Sequence, residues 1–239
     1  MRRAIAVTLI VYFVIRLPIF AADEFASARE AMVREQIVAR GVSDPRVLAA
    51  LRATPRERFV PEEVKTFAYG DYPLPIGEGQ TISQPYIAAL MTELAQPRAT
   101  DRVLEVGTGS GYQAAVLAAL AAHVYTIELE PSLARRAEKI LRELNYRNIT
   151  TRTGDGYQGW PAEAPFDVIV VTAAPDHVPE PLLKQLKPGG RMVIPVGERN
   201  ATQQLQLIEK GSNGKLVART VSAVQFVPLR RPDASDERR

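Results

Sequence analysis

Three glycines at alternate positions mark the segment of this sequence that is best suited to hold a ligand. The segment reads Glu105-Val106-Gly107-Thr108-Gly109-Ser110-Gly111. Glycine lets the backbone turn sharply and approach a ligand with no Cβ in the way. Between a strand and a helix of an open parallel sheet, such a loop lies where ligands usually bind. The alternative is a tight turn without a ligand. We predict that Glu105, Gly107, Gly109 and Gly111 bind a cofactor.

Two further acidic positions indicate which cofactor this is. Glu128 ends the next apolar segment, where a carboxylate can accept hydrogen bonds from both hydroxyls of a ribose. Asp155 and Gly156 follow a third segment, where the carboxylate can accept from an adenine amine. A dinucleotide motif would need glycine at position 112, but a bulky tyrosine stands there. Acids around a glycine loop suit a cationic nucleoside without phosphate, which is the description of S-adenosyl-L-methionine.

Composition excludes several other kinds of chemistry. The chain has 239 residues, of which 46% are hydrophobic and 24% charged, as is usual for globular proteins. It has no cysteine, so disulfide scaffolds, thiol catalysis and thiolate metal sites are excluded. Two histidines, His123 and His177, are too few for a multi-histidine metal site, and we predict no metal.

Alternating strand and helix patterns predict the architecture. Strands are expected over 102–106, 124–128, 149–153, 166–172 and 191–196, and helices over 111–122 and 131–144. This order predicts an α/β fold with a doubly wound, mostly parallel, Rossmann-like sheet. Helical patterns cover 23–40, a short stretch from residue 45 and a longer one from residue 85, whereas 54–82 reads as loops. Segments 203–209 and 215–229 predict a C-terminal antiparallel hairpin.

The chain divides into four segments on these patterns. Residues 1–22 form a leader, 23–100 an N-terminal helical region on the substrate side, 101–229 the cofactor-binding core and 230–239 a charged tail, with 23–229 as one domain. The leader has a basic start and a short apolar run, as in secretory signals. Arg16 interrupts the run and bulky Phe20 fits a cleavage site poorly, so an export signal, a membrane leader and an uncleaved extension stay open. Without these residues basic and acidic side chains balance at 27 each, which argues against a nucleic-acid partner.

From about residue 30 to Leu229 the sequence is similar to the protein-L-isoaspartate O-methyltransferases. The segments that carry the similarity are Gly79-Gln80-Thr81-Ile82-Ser83-Gln84-Pro85, Glu105 to Gln113, Gly154-Asp155-Gly156, Pro165-Phe166-Asp167, Thr172-Ala173-Ala174, Lys187-Pro188-Gly189-Gly190 and Phe226-Val227-Pro228-Leu229. The resemblance implies methyl transfer from S-adenosyl-L-methionine to the free α-carboxylate of isoaspartyl residues, which starts repair through a succinimide. That carboxylate is ionised at pH 7, so the reaction needs no strong general base.

Ser83 stands just before the helix that begins at Pro85. From position alone it reads as a helix cap that accepts from backbone N–H groups. The resemblance makes it the active-site serine, with Gln80, Thr81 and Ile82 as substrate-binding neighbours, and one hydroxyl can serve both roles. A covalent nucleophile is not expected because no base partner is visible. His123 reads as structural, while the roles of His177, Trp160 and Tyr157 stay open between packing and the site.

Three other functions fit the sequence less well. A nucleic-acid methyltransferase would share the cofactor core, but Thr172-Ala173-Ala174-Pro175 lacks the N/D-P-P-Y/F-like pattern of that class. An NAD-dependent oxidoreductase is disfavoured by Tyr112, and a non-catalytic binding protein by the presence of Ser83, Glu128 and Asp155. We expect isoaspartyl peptides and proteins as partners, no nucleic acid, no membrane span beyond the leader, and a monomer. We expect a cytoplasmic enzyme, with a periplasmic or inner-membrane location through residues 1–22 as the alternative.

Overall fold

A computed structural model describes residues 23–198 and 201–232, and the leader lies outside this part of the chain. Nine strands occur within these two ranges. They are β1 (Leu74–Gly77), β2 (Gln80–Ile82), β3 (Arg102–Val106), β4 (His123–Glu128), β5 (Ile149–Thr153), β6 (Phe166–Val171), β7 (Leu186–Val196), β8 (Gln203–Lys210) and β9 (Leu216–Val224).

Seven of these strands form one sheet in the order β5-β4-β3-β6-β7-β8-β9. The first five pair in parallel, and β8 and β9 add to them antiparallel. From β3 the chain proceeds outward through β4 and β5 on one side, then returns to β6 and β7 on the other. This reversal leaves a crevice at the carboxyl end of β3, where ligands of open α/β sheets bind. The predicted doubly wound, mostly parallel fold is confirmed.

Six α-helices are present in the described ranges. They are α1 (Ala26–Ala31), α2 (Pro45–Ala53), α3 (Pro85–Ala95), α4 (Tyr112–Ala118), α5 (Pro131–Glu143) and α6 (Glu180–Gln185). Every residue of α4 is buried, and its small alanines allow close packing on the sheet. In α5 the buried residues Leu133, Ala137 and Leu141 recur at helical spacing, so only one stripe faces the core.

The N-terminal region agrees with its predicted helices and adds one element. α1 continues into a π-helical turn (Met32–Ile37) and a 3₁₀ turn (Val38–Arg40), which ends at Gly41 as predicted. Asp44 caps α2 by accepting from the N–H of Arg46. Two 3₁₀ turns, Arg56–Phe59 and Glu62–Phe67, precede a hairpin formed by β1 and β2. The sequence predicted only loops there.

The C-terminal elements differ from the prediction at their ends. β7 begins at Leu186, five residues before the predicted strand, because the turn at 187–190 is a bulge between two paired stretches. β9 ends at Val224, not at residue 229. The chain then returns to the end of β6, where Ala174 N–H donates to the Val227 carbonyl and Leu229 N–H donates to the Ala174 carbonyl. These two bonds place residues 227–230 beside the crevice.

Neither a membrane-spanning helix nor a cluster of metal ligands occurs in the described ranges. None of the helices there combines the length and the apolar character that a bilayer crossing needs. In the same part of the chain, no three acidic or histidine side chains come together as metal ligands would.

Candidate active site

An open cleft lies at the carboxyl ends of β3, β4 and β6, and its empty space, counted together with the solvent at its mouth, is about 770 Å³. The cleft is lined by Gln80, Thr81, Ile82, Ser83, Ala88, Val106, Gly107, Thr108, Gly109, Ser110, Tyr112, Gln113, Ile127, Glu128, Leu129, Gly156, Thr172, Ala173, Val227, Pro228, Leu229 and Arg230. The glycine loop, the end of β4 and the segment around Ser83, which are separate stretches of the sequence, therefore meet in one space.

The glycine loop is held against β6 by a threonine. Gly107 has a φ of +98°, a conformation that side chains other than glycine rarely adopt. A Cβ on Gly107 would lie 2.5 Å from Thr172 Oγ1. The Thr172 hydroxyl donates to the Gly107 carbonyl at 2.6 Å. Thr172 thus fixes the start of the loop, and a Cβ at position 107 would clash with its hydroxyl.

Glu128 lines the cleft and organises its other wall. Its side chain is buried, and Oε2 accepts from the Gly109 N–H at 2.7 Å. Oε1 accepts from the Glu130 N–H at 2.9 Å. A carboxylate has about four acceptor positions. Two of them are therefore used by the backbone, and the carboxylate can still accept from a bound polyol.

Glu105 does not line the cleft. It is fully buried and accepts a hydrogen bond from the Thr126 hydroxyl, which is 2.6 Å from the Thr108 hydroxyl of the glycine loop. No hydrogen bond to Glu105 Oε1 is formed by any other described residue. Burial raises the pKa of Glu105 to about 8. The geometry therefore gives Glu105 a place behind the loop, where it supports the loop through Thr126 and Thr108.

Gly156 lies in the cleft, whereas Asp155 lies beside it. Asp155 accepts from the Tyr157 N–H at 2.9 Å and caps the short turn Gly156–Gln158. A Cβ on Gly156 would come within 2.5 Å of Val106 Cγ1, at the end of β3. The turn can therefore pack against β3 only with glycine at this position.

Ser83 is exposed to the cleft at the end of the hairpin. Residues 80–82 form β2, which leads directly into Ser83 and α3. The residue at the helix cap is Gln84, and no side chain caps α3. The capping interpretation of Ser83 is wrong, because the chain enters the helix one residue later. The serine side chain is therefore available to the cleft.

His177, Trp160 and Tyr157, whose roles the sequence leaves open, lie outside the cleft lining, and so does His123. His177 is exposed, with Nδ1 2.6 Å from Asp176 Oδ1. Trp160 packs edge-on against Tyr125, with ring centroids 5.6 Å apart. His123 lies 2.8 Å from Thr150 Oγ1 and beside the Tyr125 ring, in agreement with a structural role.

Sequence reasoning missed several residues of the site. Thr172, Thr126 and the segment 227–230 were assigned no contact with it. The resemblance named residues 226–229 as a matching segment, which was the available signal for their position. Arg230, which lines the cleft, pairs with Glu130 and thereby connects the C-terminal segment to the end of β4.

Comparison with known proteins identifies the family. The family model described as Protein-L-isoaspartate(D-aspartate) O-methyltransferase (PCMT) matches residues 27–233. A relative from Nitrosospira multiformis, named Protein-L-isoaspartate O-methyltransferase 1, is 55% identical over 223 residues, which cover 92% of this chain and 94% of the relative. A relative from Picosynechococcus with the name Protein-L-isoaspartate O-methyltransferase is 54% identical over 210 residues, covering 88% and 93%.

Solved structures agree with this result. A structure titled protein-L-isoaspartate O-methyltransferase superposes with a TM-score of 0.76 at 31% identity, over 84% of this chain and 65% of that chain. A second structure, from Plasmodium falciparum, is described as a putative protein-L-isoaspartate O-methyltransferase in complex with S-adenosyl-L-homocysteine. It superposes with a TM-score of 0.74 at 25% identity, over 85% of this chain and 99% of that chain. The chain belongs to the protein-L-isoaspartate(D-aspartate) O-methyltransferase family.

Proposed function

We propose that the cleft holds the methyl donor at the glycine loop and the methyl acceptor at Ser83. The chain is an S-adenosyl-L-methionine-dependent methyltransferase that acts on the free α-carboxylate of L-isoaspartyl residues in peptides and proteins. The observation that carries the assignment of residues is that segments 80–83 and 107–110, from different parts of the sequence, line one cleft. Both segments belong to the motifs that identify the family.

The glycine-loop end of the cleft fits the donor. Gly107 has no side chain, so the donor can approach its backbone closely, and a Cβ there would clash with Thr172. Glu128 still has acceptor positions for the ribose hydroxyls. We assign donor binding to Gly107, Gly109, Gly111, Glu128 and Gly156. Glu105 and Asp155 act behind them by holding the loop and the turn. When bound, S-adenosyl-L-methionine supplies a methyl group on a positively charged sulfur.

The Ser83 end suits a carboxylate acceptor. An isoaspartyl α-carboxylate is already ionised near pH 7, so it attacks without a base. We assign the Ser83 hydroxyl to donate a hydrogen bond to this carboxylate, with Gln80, Thr81 and Ile82 contacting the neighbouring peptide. Holding two reactants in the right alignment can contribute roughly 7–11 kcal/mol to a reaction of this kind. The site therefore works mainly by alignment and by exclusion of water.

Transfer of a labelled methyl group tests this function. The purified chain is given radiolabelled S-adenosyl-L-methionine with an isoaspartyl peptide, its normal aspartyl twin, or a duplex oligonucleotide. Label is expected in the isoaspartyl peptide alone, as a base-labile ester. Equal labelling of the two peptides would overturn the acceptor assignment, and label in the oligonucleotide would favour the alternative nucleic-acid substrate.

Location, domain boundaries and oligomeric state complete the proposal. We infer that the protein acts in the cytosol, because the reaction consumes a donor that is made there. We further infer that it is a monomer in which residues 23–229 form one domain. Cell fractionation with N-terminal sequencing tests the location, and light scattering tests the oligomeric state. A mature protein that starts near Asp23 in a periplasmic fraction would support the export alternative.

A further inference from the structure

Arg56 is a fully buried arginine directly beneath the Ser83 segment. Its exposed fraction is 0%. Nε donates to the Ala68 carbonyl at 2.7 Å, and Nη2 donates to the Ser83 carbonyl, also at 2.7 Å. The guanidinium carbon lies 4.8 Å from the centre of the Tyr112 ring, at the start of α4. One side chain therefore contacts the substrate-side segment and the helix that follows the glycine loop.

The surroundings of Arg56 are unusual for a buried charge. Among residues 23–198 and 201–232 it makes no ion pair, and its Nη1 has no hydrogen-bond partner there. The adjacent carboxylate of Glu57 is engaged by Tyr69 and Arg29 instead. Burying a charge without a counter-ion is costly. Contacts with two carbonyls and an aromatic face offset only part of this cost. The stability of the fold alone therefore does not explain a buried arginine at this position.

The chemistry of methyl transfer gives this arrangement a use. The acceptor carboxylate, held by the Ser83 hydroxyl, must stay in line with the methyl group of a donor bound at the glycine loop, although Ser83 and this loop come from different elements. Residues 80–82 form only a two-stranded hairpin with β1, which is weak on its own. A planar guanidinium offers several donors in fixed directions, which suits it to fixing one backbone segment against another.

We infer that Arg56 is a positioning residue for methyl transfer, holding the Ser83 backbone in register with the start of α4. It acts through Ser83 and Tyr112 and contacts neither reactant. This inference rests on the proposed role of Ser83. Removing the guanidinium should leave the donor site intact and misplace the acceptor. A misplacement of about 1 Å can lower turnover on the order of 10²-fold.

Two variants at position 56 and one matched control test the inference. Arg56→Met removes both hydrogen bonds, and Arg56→Lys keeps the charge but offers one nitrogen for two carbonyls. Arg29→Met is the control. Arg29 is also a largely buried arginine that packs on a tyrosine of the same region, Tyr69. Unlike Arg56, it contacts none of the described residues that line the cleft. Steady-state kinetics with an isoaspartyl peptide, calorimetry with S-adenosyl-L-homocysteine and thermal unfolding are measured for each.

We expect kcat to fall on the order of 10²-fold in Arg56→Met and by a smaller factor in Arg56→Lys, with the Kd for S-adenosyl-L-homocysteine within about threefold of wild type. Arg29→Met should lower the melting temperature and keep the wild-type kcat. Wild-type kcat in a folded Arg56 variant, or an equal loss in Arg29→Met, would overturn the inference. So would loss of folding or of donor binding in both Arg56 variants, which would assign Arg56 to the fold alone. Failure of the wild-type enzyme to methylate the peptide would instead refute the proposed function.

Discussion

Glu128 Oε2 accepts a hydrogen bond from the backbone N–H of Gly109 at 2.7 Å. This bond joins the end of β4 to the middle of the glycine loop. The same carboxylate accepts from the Glu130 N–H, so it fixes both sides of the turn after β4. Glu128 therefore shapes the donor site before any ligand is bound. A loop held in this way loses little conformational freedom on binding, which favours affinity.

Replacement of Glu128 tests its contact with the donor. Glu128→Ala should weaken binding of S-adenosyl-L-homocysteine by about 1.5–3 kcal/mol, which is the typical contribution of hydrogen bonds to a charged group. Calorimetry measures this directly. Glu138 is an exposed glutamate on α5, so Glu138→Ala is the control for the loss of one negative charge. Unchanged affinity in Glu128→Ala would show that the ribose assignment is incorrect.

Replacement of Ser83 separates chemistry from folding. Because Ser83 does not cap α3, Ser83→Ala should change the melting temperature little. Turnover of an isoaspartyl peptide should fall by at least about tenfold, since a hydrogen bond to a charged group is lost. The Kd for S-adenosyl-L-homocysteine should stay near wild type. Ser132→Ala removes an exposed serine hydroxyl that bonds to Glu78 and serves as the control. A Ser83→Ala enzyme with wild-type kcat would exclude Ser83 from the reaction.

The large sheet could be predicted from the sequence to within one or two residues for most strands. The bounds predicted for β3 and β5 agree with the structure, and β6 differs by one residue. β6 is buried on both faces and leaves a nearly continuous apolar run, whereas β5 is half-exposed at the edge of the sheet and is marked by its β-branched residues. The order of residue types along the chain is therefore enough to predict where most of these strands begin and end.

Two features of the site depend on packing that the sequence pattern does not contain. The hairpin of β1 and β2 has prolines and glycines that read as loop, and its pairing depends on contacts with the N-terminal region. Arg56 lies in the stretch that the sequence predicts as loops, and only the tertiary fold buries it. The place of Glu105 behind the glycine loop also follows from the fold, since successive side chains of a strand point to opposite faces. Because Val106 lines the cleft, Glu105 must point away from it.

Two of the glycines with a similar φ, Gly107 at +98° and Gly189 at +84°, give a matched test of the loop. Alanine at Gly189 should lower the free energy of unfolding by about 1–2 kcal/mol, the usual cost of a left-handed conformation, and alanine at Gly107 should lower it further. A Cβ at Gly189 meets no atom within 4 Å, whereas one at Gly107 meets Thr172 Oγ1 at 2.5 Å. We therefore expect Gly107→Ala alone to lose affinity for S-adenosyl-L-homocysteine. Calorimetry showing equal affinity in both variants would contradict the close approach of the donor to this loop.

The buried carboxyl of Glu105 predicts a pH dependence of stability. Burial raises the pKa of Glu105 to about 8 in the folded state, above its value of about 4.5 in an unfolded chain. Folding therefore favours the protonated form, so the contribution of Glu105 is complete below pH 4.5 and is lost as the pH rises towards and through 8. The slope for one such group is at most about 1.4 kcal/mol per pH unit. Glu105→Gln cannot titrate, so between pH 5.5 and 8.5 the wild type should lose stability relative to this variant. Urea unfolding at several pH values measures this difference in the free energy of unfolding. Glu63→Gln, at an exposed glutamate, is the control for the loss of one negative charge. If the free energy of unfolding changed with pH equally in the wild type and in Glu105→Gln, the raised pKa of Glu105 would be refuted.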